Sequence, residues 1–254
     1  MIELKNVTKT FVRNNQTVTA VNNLSISVKQ GEVFGLIGSN GAGKTTTLRM
    51  IASTLKPSQG EIIVAGYNVV QNPEQVRKNI GILFGGDTGL YDRLTAKENI
   101  EYFAKLNGLS QEETDNNMQE LVKAFNLEGY LNRRTGGFSR GMKQKTSFAR
   151  SIIHNPQVML FDEPTAGLDI LASDEVVTFI KQCKQKGKTI ILSSHDMLEV
   201  DELCDRIAII NKGRILIQGT LEEVKNKTNS QSTKEAFIKL IKQDNVISNK
   251  GEQQ

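Results

Sequence analysis

Eight residues constrain this chain more than any other stretch. Gly38-Ser39-Asn40-Gly41-Ala42-Gly43-Lys44-Thr45 fits the pattern GxxxxGK[ST] at every fixed position. A short apolar strand, Val33-Phe34-Gly35-Leu36-Ile37, leads into it, and a helical stretch from Lys44 to about Leu55 leads out. That strand–loop–helix context is the one the pattern requires. Glycines let successive backbone N–H groups turn inward around phosphate oxygens. The helix start adds the positive end of its dipole. Lys44 neutralises phosphate charge, and the Thr45 hydroxyl can ligate Mg²⁺. Gly38, Ser39, Asn40, Gly41, Ala42, Gly43, Lys44, Thr45 and Thr46 therefore form the candidate nucleotide-binding segment.

The rest of the chain is organised around α/β alternation. Ile2–Val7 and Leu24–Val28 alternate as strands, and Glu61–Val64 and Ile80–Phe84 follow. Between about Leu94 and His154 the character changes. Thr95-Ala96-Lys97-Glu98 and Ser110-Gln111-Glu112-Glu113 fit the capping box, and a third helix starts near Ser139. Strands are hard to find there, so 94–154 reads as a helical insertion. After Pro156, Val158–Phe161, Thr189–Leu192 and Arg206–Ile210 read as strands, with helices over about 171–186 and 196–203 between them. Short buried strands alternating with helices predict a parallel sheet with helices on both faces. Asn211–Arg214 predicts a hairpin turn. The polar tail from Lys225 holds one amphipathic segment, Ala236–Ile241, and is expected to fray after it.

Val158–Phe161 ends in two acids, Asp162 and Glu163. Ligands in a parallel sheet sit beyond the carboxyl ends of its strands, which puts both acids beside the phosphate loop. In an extended strand their side chains point opposite ways. Asp162 suits a water-mediated hold on Mg²⁺, and Glu163 suits a base that polarises an attacking water.

Together these motifs resemble the nucleotide-binding subunits of ABC transporters, over roughly residues 1–220. Phe138-Ser139-Arg140-Gly141-Met142 stands where that family keeps its LSGGQ signature. Asp162-Glu163-Pro164-Thr165-Ala166-Gly167-Leu168-Asp169 is similar to its Walker B strand and D-loop. His195, after Ile190-Ile191-Leu192-Ser193-Ser194, is similar to its switch histidine, and Phe11 is placed like its adenine-stacking aromatic. The resemblance implies a P-loop NTPase (RecA-like) parallel-sheet core with an N-terminal antiparallel β subdomain and the inserted helical subdomain. It implies an ATPase using ATP and Mg²⁺, with Glu163, His195 and Lys44 catalytic. It also implies a head-to-tail homodimer, in which Ser139 and Gly141 of one copy face the γ-phosphate held by the other. Residues 221–254 are expected to form a C-terminal tail or helix outside the ATPase domain, 1–220.

Two departures from the family pattern stand out. Arg140 and Met142 replace a glycine and the glutamine of the signature; the Ser-Arg-Gly-Met-Lys-Gln-Lys run looks like that of drug- and ion-efflux ATPases. The Q-loop glutamine is missing, and Gly85-Gly86-Asp87 stands in its place. Two readings stay open there: Asp87 partly replaces the glutamine near Mg²⁺, or the loop makes no catalytic contact. The stretch Phe84–Thr95 most resembles the sodium-efflux (NatA-type) branch of bacterial exporter ATPases.

Composition narrows the remaining classes. No stretch approaches the ~18 apolar residues of a membrane span, so the resemblance to transporter subunits implies separate transmembrane permease subunits. With them comes a peripheral place on the cytoplasmic face of the plasma membrane. The net charge is +4 and Trp is absent, which argues against nucleic acid. Lys181, Lys184, Lys186 and Lys188 read as a solvated helix face. Cys183 and Cys204 have no metal-ligand spacing. Two alternatives remain: a soluble ABC-type ATPase, or an exporter ATPase for drugs or antibiotics. One phosphate loop, no long heptad run and no CxxC speak against translation and repair ATPases. Ser139-Arg140-Gly141 with His195 speaks against a small-molecule kinase.

Overall fold

The computed structural model describes residues 1–13, 15–85 and 89–251. It is an α/β fold with two sheets. The larger has six strands in the order β10-β9-β3-β8-β7-β6. Its members are β3 (Val33–Ile37), β6 (Ile80–Leu83), β7 (Val158–Asp162), β8 (Thr189–Ser194), β9 (Arg206–Asn211) and β10 (Arg214–Thr220). Every pairing is parallel except that of β9 with β10, the hairpin at the edge. β3, β7 and β8 are buried along their whole length, which is why their sequences run apolar instead of alternating. The hairpin turns through Lys212 (φ 46) and Gly213 (φ 76), two left-handed residues in succession, which matches the strands' right-handed twist.

The smaller sheet is antiparallel, in the order β2-β1-β4-β5. Its strands are β1 (Ile2–Arg13), β2 (Gln16–Val28), β4 (Gln59–Val64) and β5 (Tyr67–Asn68). β1 and β2 extend well past the alternating stretches that mark them in the sequence. Ile2, Leu4, Ile26, Val28, Ile62 and Val64 turn inward and share a core with the helix that follows the phosphate loop, α1 (Lys44–Ile51). That helix stops before Leu55, because Ser53 takes a left-handed backbone (φ 56). A short α2 (Pro73–Asn79), opened by its proline, precedes β6.

Between β6 and β7 run α3 (Ala96–Leu106), α4 (Gln111–Ala124), a 3₁₀ turn (Thr135–Gly137) and α5 (Arg140–Ile152). Both sequence capping boxes close here: Thr95 accepts from the Glu98 N–H and Ser110 from the Glu113 N–H, while each glutamate reaches back. Phe125, Phe148 and Phe161 stack in series and join α4 and α5 to the large sheet. α6 (Ile170–Gln185) and α7 (Met197–Leu203) connect the later strands.

The tail does not fray where the sequence suggests. α8 (Leu221–Thr228) and α9 (Thr233–Gly251) follow β10. Val224 and Ala236 are fully buried in the same core as Val200 and Leu203 of α7, and Phe237 and Leu240 pack against that core. Thr233 donates to Asp201 on α7 at 2.5 Å, and Asp244 accepts from Asn211 at 2.8 Å. Lys188 also departs from expectation: it is buried and donates to Asn155 O at 3.0 Å. Lys181, Lys184 and Lys186 remain on the surface, paired with Glu202, Asp205 and Glu120.

Candidate active site

β3 delivers the phosphate loop at the carboxyl edge of the large sheet. At Gly43 (φ 106) a β-carbon would meet Ala20 O at 2.6 Å, and at Gly38 it would meet Ile210 O at 2.5 Å. Only glycine lets the loop lie this close to β2 and β9. No side chain caps α1, so its first N–H groups are left for a ligand. A cavity beside the loop, about 310 Å³, is lined by Ala20, by residues 39–46 and by Glu163.

Lys44 is 6% exposed and donates to Gly38 O at 2.7 Å and to Ser39 O at 3.3 Å. Burial lowers its pKa, while the carboxylates of Glu163 and Asp162 act in the opposite direction. Thr45 donates from Oγ1 to Asp162 Oδ2 at 2.7 Å. Asp162 also accepts from the Ser193 hydroxyl at 2.5 Å. The Thr45 hydroxyl and the Asp162 carboxylate are hard oxygen donors. Among the described residues no group of three His, Cys, Asp or Glu side chains could hold a metal. The pair therefore fits Mg²⁺ of the kind held by one carboxylate, a hydroxyl and substrate phosphates, and not an all-protein metal cage.

Glu163 corrects the sequence argument. β7 ends at Asp162, and Glu163 turns out of it with a left-handed backbone (φ 51). The pleat of an extended strand therefore does not separate the two acids. The Glu163 N–H donates to Ser193 O (3.1 Å) and to Ser193 Oγ (3.0 Å). Its carboxylate is brought over the loop, with Oε1 3.9 Å from Lys44 Nζ and 3.4 Å from His195 Nδ1. His195 stands between the end of β8 and Asp196, which caps α7, and its side chain is 65% exposed.

Lys44, Thr45, Asp162, Glu163 and His195 thus share one site. Phe11 does not join it. It lies opposite Val18 on the β1–β2 hairpin, 41% exposed, with Lys9 Nζ 5.1 Å over its ring. Ser139 and Gly141 sit at the start of α5, where Ser139 Oγ accepts from the Met142 N–H at 3.3 Å. Neither lines the cavity, about 700 Å³, that runs from Thr45 and Asp162 to α5. Asp87 lies outside the described residues.

Sequence reasoning missed two supports. Ser193 holds both Asp162 and the Glu163 backbone; the signal was a hydroxyl at the end of a buried strand, which needs a partner. Arg140 donates to Ala166 O at 3.1 Å. Its guanidinium covers Gly167, where a β-carbon would lie 2.2 Å from Arg140 Cζ. α5 is thereby joined to the loop that follows Glu163 within one chain.

A parallel sheet with a glycine-rich phosphate loop after β3, a histidine after the adjoining β8 and two acids at the end of β7, one strand further, defines a nucleotide-hydrolysing cassette. The chain belongs to the ABC transporter family, which residues 21–166 match, and it is an ATP-binding, ATP-hydrolysing subunit of that family. Among its relatives is the ABC transporter ATP-binding protein NatA of Bacillus subtilis (strain 168), 48% identical over 95% of this chain and 99% of the relative. The bacitracin transport ATP-binding protein BcrA of Bacillus licheniformis is 36% identical over 82% of this chain and 67% of its own. Among solved structures, an ATP-binding subunit of an ABC transporter superposes with a TM-score of 0.87, at 30% identity, over 95% of this chain and 99% of that one. A dimeric post-hydrolysis state of the ATP-binding cassette MJ0796 bound to ADP and Pi superposes with a TM-score of 0.80, at 28% identity, over 87% and 99%.

Proposed function

We propose that this chain is the motor of an exporter that moves Na⁺ through separate transmembrane permease subunits. The motor part rests above all on the place of the Glu163 carboxylate, within 3.9 Å of Lys44 and 3.4 Å of His195. A base above a phosphate loop, flanked by a cation and an imidazole, is arranged for attack of water on a terminal phosphate. Lys44 and the N–H groups from Gly38 to Thr46 neutralise the β- and γ-phosphates. Thr45 and Asp162 hold Mg²⁺, which when bound spreads the charge that develops on those phosphates. Glu163 takes a proton from the attacking water, and His195 stabilises the charge moving through the γ-phosphate. Phe11, on the hairpin and outside that cluster, is assigned to the adenine by the family resemblance alone. In a homodimer, the helix start at Ser139 and Gly141 of the second copy closes each site.

The cargo reading is supported by the resemblance of Phe84–Thr95 to the sodium-efflux branch and by near full-length similarity to a NatA protein. No helix among the described residues is long and apolar enough to cross a membrane. We place the chain at the cytoplasmic face of the plasma membrane, bound to its permease. The test is ATP-driven ²²Na⁺ uptake into inside-out vesicles holding both subunits, with the parent chain and with Glu163→Gln. Uptake by the parent, and its loss in a Glu163→Gln variant that still binds ATP as a trapped dimer, is expected. Hydrolysis by Glu163→Gln at the parent rate would show that Glu163 is not the base. Active hydrolysis without uptake would reject sodium and favour the antibiotic-exporter reading, for which the similarity to BcrA speaks.

A further inference from the structure

One buried acid beside the site has no part in the scheme above. Glu199 is the third residue of α7 and is 6% exposed. Its Oε2 accepts from the Ser194 hydroxyl at 2.5 Å. Ser194 Oγ in turn accepts from the Asp196 N–H at 3.0 Å. Ser194 and Asp196 are the residues on either side of His195. One carboxyl therefore fastens both ends of the turn that carries His195, and the Asp196 carboxylate adds a bond to the Leu198 N–H at 2.9 Å. Thr165, from the segment that follows Glu163, approaches the same carboxyl. Glu163, Thr165, Ser194, His195 and Glu199 all border one cavity, about 410 Å³.

The position is costly to keep. Glu199 Oε1 is buried without a hydrogen-bond partner among the described residues. Leaving a carboxyl oxygen out of water and unpaired opposes folding. Burial pushes the Glu199 carboxyl above the usual range; the Ser194 hydrogen bond and the nearby Thr165 hydroxyl oppose the rise, the Asp196 charge adds to it and His195 opposes it. Packing alone would be served better by an apolar side chain of similar volume, because such a chain carries no desolvation cost. What an apolar chain cannot do is hold the Ser194 hydroxyl, and through it the turn at His195.

We propose that Glu199 is a positioning residue for hydrolysis: by holding Ser194 it fixes the turn that aims His195 at Glu163 and the γ-phosphate. This rests on the reading of His195 given above.

The test compares Glu199→Leu, Glu199→Gln and His195→Ala in the full chain, by steady-state ATPase and by NMR of the histidine rings. The chain has two histidines, His154 and His195, so the ring signals are separable. In Glu199→Leu we expect kcat to fall at least ~10-fold with KM for ATP held within ~2-fold, since small misplacements of a reacting group are costly. The His195 ring resonances should move and those of His154 should not. Glu199→Gln, which keeps an acceptor for Ser194, should recover most of the rate. If Glu199→Leu does not fold, Ser194→Ala cuts the same link and is read in the same way. Parent-like kcat with unmoved His195 signals, while His195→Ala loses hydrolysis, overturns the proposal and spares the His195 reading. Equal losses in the Gln and Leu variants also overturn it. Hydrolysis by His195→Ala at the parent rate removes the reading on which it stands.

Discussion

Glu163 occupies a left-handed backbone (φ 51) that a side chain with a β-carbon adopts at a cost of roughly 1–2 kcal/mol. Its N–H bonds to Ser193 hold it there, and Pro164 steers it away from the right-handed helical region. The sequence shows Glu163 at a strand end but not this turn, because no local pattern distinguishes a glutamate that continues a strand from one that leaves it. The pairing of Asp162 with Thr45 was more legible: Asp162 closes β7 and Thr45 opens α1 after the loop that leaves β3, so both lie beyond the carboxyl edge of one parallel sheet. His154 supports a prediction at this scale. Its Nε2 meets Ile80 O at 3.0 Å, and Nδ1 is buried without a partner among the described residues. Burial holds its pKa below the usual imidazole range; the Ile80 carbonyl opposes that and nearby Lys188 adds to it. A base with a depressed folded pKa contributes stability that is present above its unfolded value, about 6.5, and lost as pH falls through the folded value. Urea melts should therefore show parent stability falling below about pH 6.5. His154→Gln, which keeps a donor for Ile80, should fall less steeply.

Elements were readable where a motif had a mechanism. The capping boxes at Thr95 and Ser110 foretell α3 and α4 because two backbone donors are satisfied by two side chains in each. Thr220-Leu221-Glu222-Glu223 carries the same signature, yet the polar tail hides it. In the structure Thr220 Oγ1 accepts from the Glu223 N–H at 3.1 Å, and the Thr220 N–H donates to Glu223 at 2.9 Å. Thr220→Ala is expected to cost about 1 kcal/mol, read as a lower urea midpoint at unchanged slope. The reach of Arg140 to Ala166 was not legible, because α5 and the loop after Glu163 meet only through the tertiary fold.

At the scale of the whole molecule, alternating strand and helix signals gave the parallel α/β class, whereas the strand order β10-β9-β3-β8-β7-β6 is written in no local stretch. The docking of α8 and α9 was equally hidden, since only part of one helical face meets the core. Cutting the chain after Asn229 would remove Ala236, Phe237 and Leu240 from the core that holds Val200 and Leu203. At about 1.5–3 kcal/mol for each large apolar side chain buried, the shortened chain should unfold at least ~2 kcal/mol more easily, measured by calorimetry and urea. An unchanged midpoint would mean that the tail adds nothing to the core. The central strand has a consequence for synthesis. β3 pairs on one side with β8 and on the other with β9, and both leave the ribosome about 150 residues after it. At roughly 5–20 residues per second, the nascent phosphate loop waits on the order of ten seconds for its supports. During that interval an apolar strand has two open edges, and nucleotide has no finished cradle to stabilise. The last third of the chain, far from the loop in sequence, therefore governs how much of the newly made protein escapes aggregation and becomes an ATPase.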